Sequence, residues 1–280
     1  MVTVHPKISV ITPSFNQGQF IEETILSVID QNYPNLEHII VDGGSTDNSV
    51  QIIKKYEKHL AYWVSEKDSG QSEAINKGFK KATGDIVCWL NSDDILMPGA
   101  LGNVAAYFRD HRETDFVNGY TLVMDQHSQI LYNYFILKQK KWYALRGIYY
   151  ISQPSMFWRK NIHESIGILK EDFHAAMDQE FLIRIFKNNI KVGHLPKILA
   201  GFRVHDLSKT SKKGEIWIRD AKEIRNLHGE NYGKKPELFY RLIYGCEKAV
   251  KMLYLKQWLF ILKWKGKKII LLKKDNCTYL

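Results

Sequence analysis

Gly84-Asp85-Ile86-Val87-Cys88-Trp89-Leu90-Asn91-Ser92-Asp93-Asp94, followed by Ile95-Leu96-Met97-Pro98, carries the strongest architectural signal in this 280-residue chain. Ile86 to Leu90 is short, apolar and rich in β-branched and aromatic side chains, and a glycine and a polar cluster bound it, which predicts a strand covered on both faces. The strand stops on two adjacent carboxylates. Ligands in open α/β sheets bind outside the carboxyl ends of the strands, so two hard oxygen donors there suit a divalent cation carrying a diphosphate. Aspartate is also a common turn residue, and a solvated turn is the competing reading of the pair.

The same pattern recurs upstream. Ile8 to Thr12 reads as a strand and Pro13 to Gly18 as a loop, after which Ile21, Ile25, Val28 and Ile29 repeat at helical spacing. Leu36 to Val41 forms a second strand ending on Asp42-Gly43-Gly44-Ser45-Thr46-Asp47, with a helix beyond it on Val50, Ile53 and Tyr56 and Ser45 or Thr46 as its expected N-cap. Leu60 to Ser65 is a third strand that stops at Glu66, and Ser72 is expected to cap a helix bearing Ile75, Phe79 and Ala82. Strands alternating with helices predict βαβ units and a parallel sheet. Thr12 and Asn16, Asp42, Glu66 and Asp68, and Asp93 and Asp94 then lie just past four strand ends and face one crevice. Neither G-x-G-x-x-G nor G-x-x-x-x-G-K-[ST] is present, which excludes a Rossmann dinucleotide fingerprint and a P-loop.

Downstream, Pro98 begins a helix reaching Tyr107, and Phe116 to Met124 and Gln129 to Phe135 read as two strands around the turn 125–128, so the sheet becomes mixed. Residues 136–152 are aromatic and basic without a clear period. Ser152 to Arg159 is strand-like, Met177 to Ile185 opens a helix with Asp178 and Glu180 in its first turn, where acids meet the helix dipole favourably, and Ile198 to Val204 delivers His205 at a strand end. Two domains are expected, a catalytic body over 1–205 and a basic, mainly helical extension over 206–280.

Composition bounds the class. Hydrophobic residues at 45% and charged residues at 25% are those of a globular protein. The formal charge of +10 lies in the extension, which holds 18 Lys+Arg against 8 Asp+Glu. A neutral body with a basic tail carrying Trp258 and Trp264 suggests an anionic membrane surface, a helical pair packed on the body being the alternative; nucleic acid is not expected, for want of a recognised motif. Cys88, Cys246 and Cys277 form no disulfide framework or metal spacing, no signal peptide opens the chain, and no apolar run is long enough to span a bilayer. A cytoplasmic protein, peripheral on the inner membrane face, is the expectation.

Six motifs together bring a family into view. Ile8-Ser9-Val10-Ile11-Thr12-Pro13-Ser14-Phe15-Asn16, Val41 to Asp47, Asp68 to Gly78, Asn91-Ser92-Asp93-Asp94, Gln153-Pro154-Ser155 and Met177-Asp178 stand in the order and at the spacings of the family 2 glycosyltransferases, which the chain resembles from Ile8 to about His205. The resemblance implies an α/β fold of the GT-A type, a Rossmann-like mixed sheet flanked by helices. It implies a metal-dependent inverting enzyme that moves a sugar from a nucleotide-diphospho-sugar, UDP-sugar favoured, to a saccharide or lipid-linked saccharide, in synthesis of bacterial-type surface polysaccharide or glycolipid. Thr12, Pro13 and Asn16 would line the nucleoside and Asp42 would accept from the imide N–H of a pyrimidine; Ser14, Glu66, Asn76 and Asp93 complete the expected nucleotide-sugar site. Asp93, Asp94 and His205 would hold Mn²⁺ or Mg²⁺, and Asp178 would be the catalytic base, with Glu180 its competitor.

The chain departs from the commoner family pattern at Asn91, where Asp is frequent, at Ile75, where Arg is frequent and for which Lys77 or Arg203 would compensate, and at Met177, in place of Glu. A nucleotidyltransferase and a non-catalytic nucleotide-sugar-binding module are the alternatives. The first would need a cationic loop after strand one, and Pro13 to Gly18 has no cation.

Overall fold

The structure, a computed structural model, describes residues 5–134, 139–206, 208, 214–229, 245 and 267, with the backbone alone at 133 and 134. Among the described residues nine strands form one mixed sheet: β1 (Ile8–Ser14), β2 (Leu36–Asp42), β3 (Tyr62–Ser65), β4 (Ile86–Trp89), β5 (Ile95–Leu96), β6 (Phe116–Met124), β7 (Ile130–Tyr134), β8 (Met156–Arg159) and β9 (Val192–Arg203). Their order is β3-β2-β1-β4-β8-β6-β9-β5, with β7 on β6. The quartet β3-β2-β1-β4 is parallel, β8 runs antiparallel to both β4 and β6, and β6 is parallel to β9. The change from parallel to mixed thus falls at the edge of β4, the strand that ends in Asn91-Ser92-Asp93-Asp94.

Helices α1 (Ile21–Ile29), α2 (Ser49–Lys55), α3 (Gln71–Lys81), α4 (Ala100–Asp110), α5 (Lys141–Ala144), α6 (Ile162–Ile166), α7 (Met177–Lys187) and α8 (Glu215–His228) cover the sheet. Alternation along β4 divides the core. Val87 and Trp89 pack with Ile75, Phe79 and Phe181 on the face of α3 and α7, whereas Ile86, Cys88 and Leu90 pack with Val28, Leu101 and Val104 on the face of α1 and α4. The first face has an aromatic centre in which Phe79, Trp89, Trp158 and Phe181 meet at centroid separations of 5.2 to 6.4 Å, arrangements that add to simple area burial.

Helix α3 crosses β1 so closely that a Cβ at Gly78 would lie 2.3 Å from Cγ2 of Ile11. Ile11 is fully buried in a central strand and cannot retreat. Gly78→Ala is therefore expected to lower stability by about 1–3 kcal/mol through overpacking, visible as a reduced urea midpoint with unchanged m-value.

Some boundaries moved. The helix after β2 starts at Ser49 behind Asn48, and neither Ser45 nor Thr46 caps it, because both engage the β1 loop instead. Gly70, not Ser72, precedes α3. The strand leading to His205 is twelve residues long and begins at Val192. Part of the basic extension is docked on the body: on α8, Asp220 and Ile224 are buried and His228 reaches Glu180. The lysine and tryptophan run from 230 onward lies outside the described residues, apart from residues 245 and 267.

Candidate active site

Past the carboxyl ends of the parallel strands lie two cavities with a common wall. The first, about 530 Å³, is bordered by Pro13 and Ser14 at the end of β1 and Phe15 beyond it, Gly43 after β2, Lys67 to Gly70 between β3 and α3 with Gln71 opening α3, and Asn91 to Asp93 after β4. The second, about 380 Å³, is bordered by Gln153, Pro154, His174, Asp178, Tyr132 and Trp217 among others. Gln71, Asn91 and Phe202 line both. The parallel βαβ quartet makes the first cavity, and the antiparallel half of the sheet with α7 and α8 makes the second.

Asn91 stands at the junction. Its side-chain oxygen accepts from Gln71 Nε2 at 2.8 Å, and its Nδ2 donates to Gln153 Oε1 at 3.0 Å and to Asp94 Oδ2 at 3.3 Å. Gln153 in turn donates to the carbonyl of Trp89 at 2.8 Å. This explains the asparagine: an aspartate would set a second carboxylate against Asp94, whose carboxyl is already raised well above the usual range by burial and then by the charge of Asp93.

Asp93 borders the first cavity, and its Oδ2 lies 3.1 Å from His205 Nε2. Arg203 fixes the turn: it is buried over the Phe20 ring, donates to the Asp93 carbonyl at 2.7 Å and pairs with Glu23 at 2.6 Å. Phe20 also packs on the His205 ring, at 4.7 Å between centroids. Asp94 differs from the expected metal ligand. Its carboxyl is fully buried and accepts the Arg203 backbone N–H at 2.9 Å, so it braces β9 against the turn and does not border the cavity. Among the described residues no group of three or more His, Cys, Asp or Glu converges. Asp93 and His205 are nevertheless a fitting pair for Mg²⁺ or Mn²⁺, since such ions are commonly bound by one or two protein groups, with water and substrate phosphate supplying the rest.

Several expected nucleotide contacts serve the scaffold instead. Thr12 is buried, its hydroxyl 3.0 Å from His38 Nε2. Asp42 is buried and accepts from the N–H groups of Gly44 and Ser45 and from the hydroxyls of Ser45 and Ser65, which occupies nearly all of its acceptor capacity. Asn16, in the left-handed region at φ 51°, accepts from Thr46 N–H at 2.8 Å and joins two loops at the rim. Glu66 turns to solvent and pairs with Lys77, which Glu73 also holds, so Lys77 is no free cation. Asn76 is buried and clamps 169–171 to α3. Arg203, engaged as above, does border the cavity.

The cavity exposes other groups in their place. Phe15 is 59% exposed at the mouth, Lys67 is exposed opposite, and the Asp68 carboxyl is packed so closely on Gly43 that a Cβ there would lie 2.6 Å from its Oδ2. Burial raises the Asp68 carboxyl, against a hydrogen bond from Gly70 N–H. Phe15 and Lys67 belong to loops whose direction local pattern does not specify. Asp68 carried the signal of a carboxylate past a strand end.

In the second cavity the two acids of α7 part company. Asp178 is mostly buried, and its one described hydrogen bond is from the Gln179 N–H at 2.8 Å; burial pushes it up to about 6. Glu180 is fully buried among Arg184, His228 and Lys170. Burial pushes it up too, but hydrogen bonds from His228 and Arg184 prevail and hold it below the usual range. Asp178 thus borders open space with a proton affinity near neutrality, while Glu180 is spent as a structural counter-ion.

A family model described as "Glycosyl transferase family 2" matches residues 9–167, the segment that builds the first cavity and part of the second. The chain belongs to glycosyltransferase family 2. The putative teichuronic acid biosynthesis glycosyltransferase TuaG of Bacillus subtilis is 38% identical over 128 residues, 44% of this chain and 50% of that protein. The poly(ribitol-phosphate) β-N-acetylglucosaminyltransferase TarS of Staphylococcus aureus is 26% identical over 201 residues, 68% of this chain and 34% of that protein. The chain therefore spans half or less of these two relatives. The structure of TarS 1–349 with UDP-GlcNAc superposes with a TM-score of 0.63 at 22% identity, covering 79% of this chain and 67% of that one. The mannosyltransferase PcManGT of Pyrobaculum calidifontis, in complex with GDP-Man and Mn²⁺, gives 0.57 at 20%, covering 74% and 59%. The glycosyltransferase fold is thus of the GT-A type, and no described helix is long and apolar enough to cross a membrane.

Proposed function

We propose that this glycosyltransferase moves a sugar, with inversion, from a UDP-sugar in the first cavity to a saccharide hydroxyl in the second, in the synthesis of a bacterial-type surface polysaccharide or glycolipid. The observation that carries this reading is the shared wall: an open cavity bordered by Asp93, with the buried His205 behind that carboxylate, adjoins one bordered by Asp178, so donor and acceptor would meet across Asn91. Phe15 would stack on the base, Asp68 would accept from its imide N–H in place of Asp42, and Lys67 would lie against the anionic donor. TarS with UDP-GlcNAc and the name of TuaG support the donor and the pathway class.

In the transfer, the acceptor oxygen forms its bond to the anomeric carbon as the bond to the diphosphate oxygen breaks and UDP leaves. Asp178 takes the hydroxyl proton as the oxygen attacks. The residues that would hold Mn²⁺ or Mg²⁺ are Asp93 and His205; a bound ion would stabilise the leaving diphosphate. Arg203 keeps Asp93 at the cavity wall, and the amides of Gln71, Asn91 and Gln153 keep the two cavities in register. Thermal-shift measurements over a panel of nucleotide-sugars, with and without Mn²⁺, followed by assay of released nucleotide, test the reading: the largest shift should come from a UDP-sugar, and indifference to all nucleotide-sugars would sink it.

We further propose that residues 206–280 form a basic extension that attaches the enzyme loosely to an anionic membrane surface. The charge excess supports this, and so do Ile218, 71% exposed on α8, and its neighbours Arg219 and Lys222. With about 1 kcal/mol from each lysine near the surface, flotation with anionic liposomes should be strong at low salt and lost at high salt. Equal behaviour of neutral vesicles would sink the proposed attachment to an anionic membrane surface.

A further inference from the structure

The second cavity differs in chemistry from the first. Its described lining is aromatic and amide, with Trp89, Tyr132 and Trp217 beside Gln71, Gln153 and Gln179. Among the described residues that border it, no lysine or arginine is present and the one carboxylate is Asp178. A phosphate or uronate brought into this space would meet that acid with no lysine or arginine among the described lining residues to offset it, His174 being the one basic side chain there, which disfavours an anionic group where water is scarce. Aromatic rings and amides suit the C–H faces and hydroxyls of an uncharged sugar ring, with a few placed polar groups fixing its orientation.

Trp217 has further features of a wall built for a ligand. It lies on α8, outside the segment matched by the family model. Its indole N–H is buried without an acceptor among the described residues, and the residue borders the cavity. The helix is anchored one turn further on. Asp220 is buried and accepts three consecutive backbone N–H groups, from His174 at 3.0 Å, Ala175 at 2.7 Å and Ala176 at 3.1 Å, at the entrance to α7. One carboxylate thus ties the helix that carries Trp217 to the helix that carries Asp178. Ile224, also fully buried, seats α8 in the core a turn beyond.

We infer that the second cavity seats an uncharged pyranose ring of the acceptor against Trp217, with Asp220 as the positioning residue that holds this wall to α7. The inference rests on the proposed division into donor and acceptor cavities and adds the acceptor's chemical class. It separates this chain from TarS, whose name specifies a poly(ribitol-phosphate).

The test is ligand-detected NMR titration of the full chain saturated with UDP. The probes are the methyl β-glycosides of glucose, galactose and N-acetylglucosamine, set against methyl β-glucuronide and ribitol 5-phosphate. At least one neutral glycoside should bind 10-fold or more tightly than both anions. Trp217→Ala should weaken it at least 10-fold while UDP affinity stays within 2-fold, and Trp217→Phe, which keeps a stacking ring, should restore most of the affinity. Asp178→Asn should narrow the gap between glucoside and glucuronide. Binding of an anionic probe as tight as or tighter than that of every neutral one, absence of binding by all three neutral glycosides, or indifference to Trp217→Ala would overturn the inference. Should Trp217→Ala fail to fold, the comparison of probes on the unaltered chain and Trp217→Phe still decide. Loss of the donor reading would appear separately, as failure of UDP to bind.

Discussion

Asp178→Asn is expected to reduce turnover by about two to four orders of magnitude while UDP-sugar affinity stays within a few-fold, because the amide keeps the shape of the acid but cannot take a proton. The pH profile sharpens the test. With the acid pushed up to about 6 by burial, turnover of the unaltered enzyme should climb through pH 6 and level off above pH 7, and the residual activity of Asp178→Asn should lose that limb. The same shift has a sign for stability. Between the ordinary carboxylate range and about 6 the folded chain keeps a proton that the unfolded chain has released, so folding weakens as pH rises through this window. Asp178→Asn should therefore melt higher than the unaltered chain at pH 8, and this gain should vanish at pH 4. Glu180→Gln should do the opposite, since it strips a buried partner from Arg184 and His228: a loss of about 3–5 kcal/mol in stability, with turnover per folded molecule largely kept. Near-normal turnover in Asp178→Asn together with its abolition in well-folded Glu180→Gln would assign the base to Glu180.

Asp93→Ala should have the second largest effect. If Asp93 and His205 hold the ion, calorimetry should show UDP affinity falling by 10-fold or more on chelation with EDTA. Asp93→Ala should show the same weakened affinity with or without Mn²⁺. Equal affinity of the unaltered chain with and without EDTA would sink the metal assignment, and a loss confined to Asp93→Ala would leave Asp93 as a direct polar contact. Asp94→Asn separates fold from chemistry: it touches the Arg203 backbone and Asn91, not the cavity, so its effect should be on the melting temperature and little on UDP affinity.

The βαβ half was legible because local rules suffice there. Apolar runs of strand length, glycines at their ends and helices of 3.6-residue period specified β1 to β4 and their carboxyl-end crevice. The later half was harder. Gln153 to Ser155 is a short 3-10 turn before a four-residue strand, where one continuous strand was expected. Residues 139–150, which have no periodicity, are held by contacts distant in sequence, such as Tyr149 to the carbonyl of Gln179.

What the sequence determined by itself is the family, the α/β class and the loops in which the site residues lie. A motif fixes which turn follows which strand, but it does not fix which way a carboxylate in that turn points. Asp93 and Asp94 are adjacent, yet one borders the cavity and the other is buried under Arg203. Asp42 ends one strand and Asp68 follows another, yet the N–H groups and hydroxyls around Asp42 occupy nearly all of its acceptor capacity, while Asp68 borders the open space. Asp178 and Glu180 stand two positions apart on one helix, roughly 200° around its axis at 3.6 residues per turn, so one borders a cavity and the other meets a buried cation. Only the tertiary structure decided these three choices, because each depends on where hydrogen-bond donors and cations come to rest: β9 beside Asp94, Ser65 of β3 and the 44–45 turn around Asp42, and α8 with the loop before α7 around Glu180.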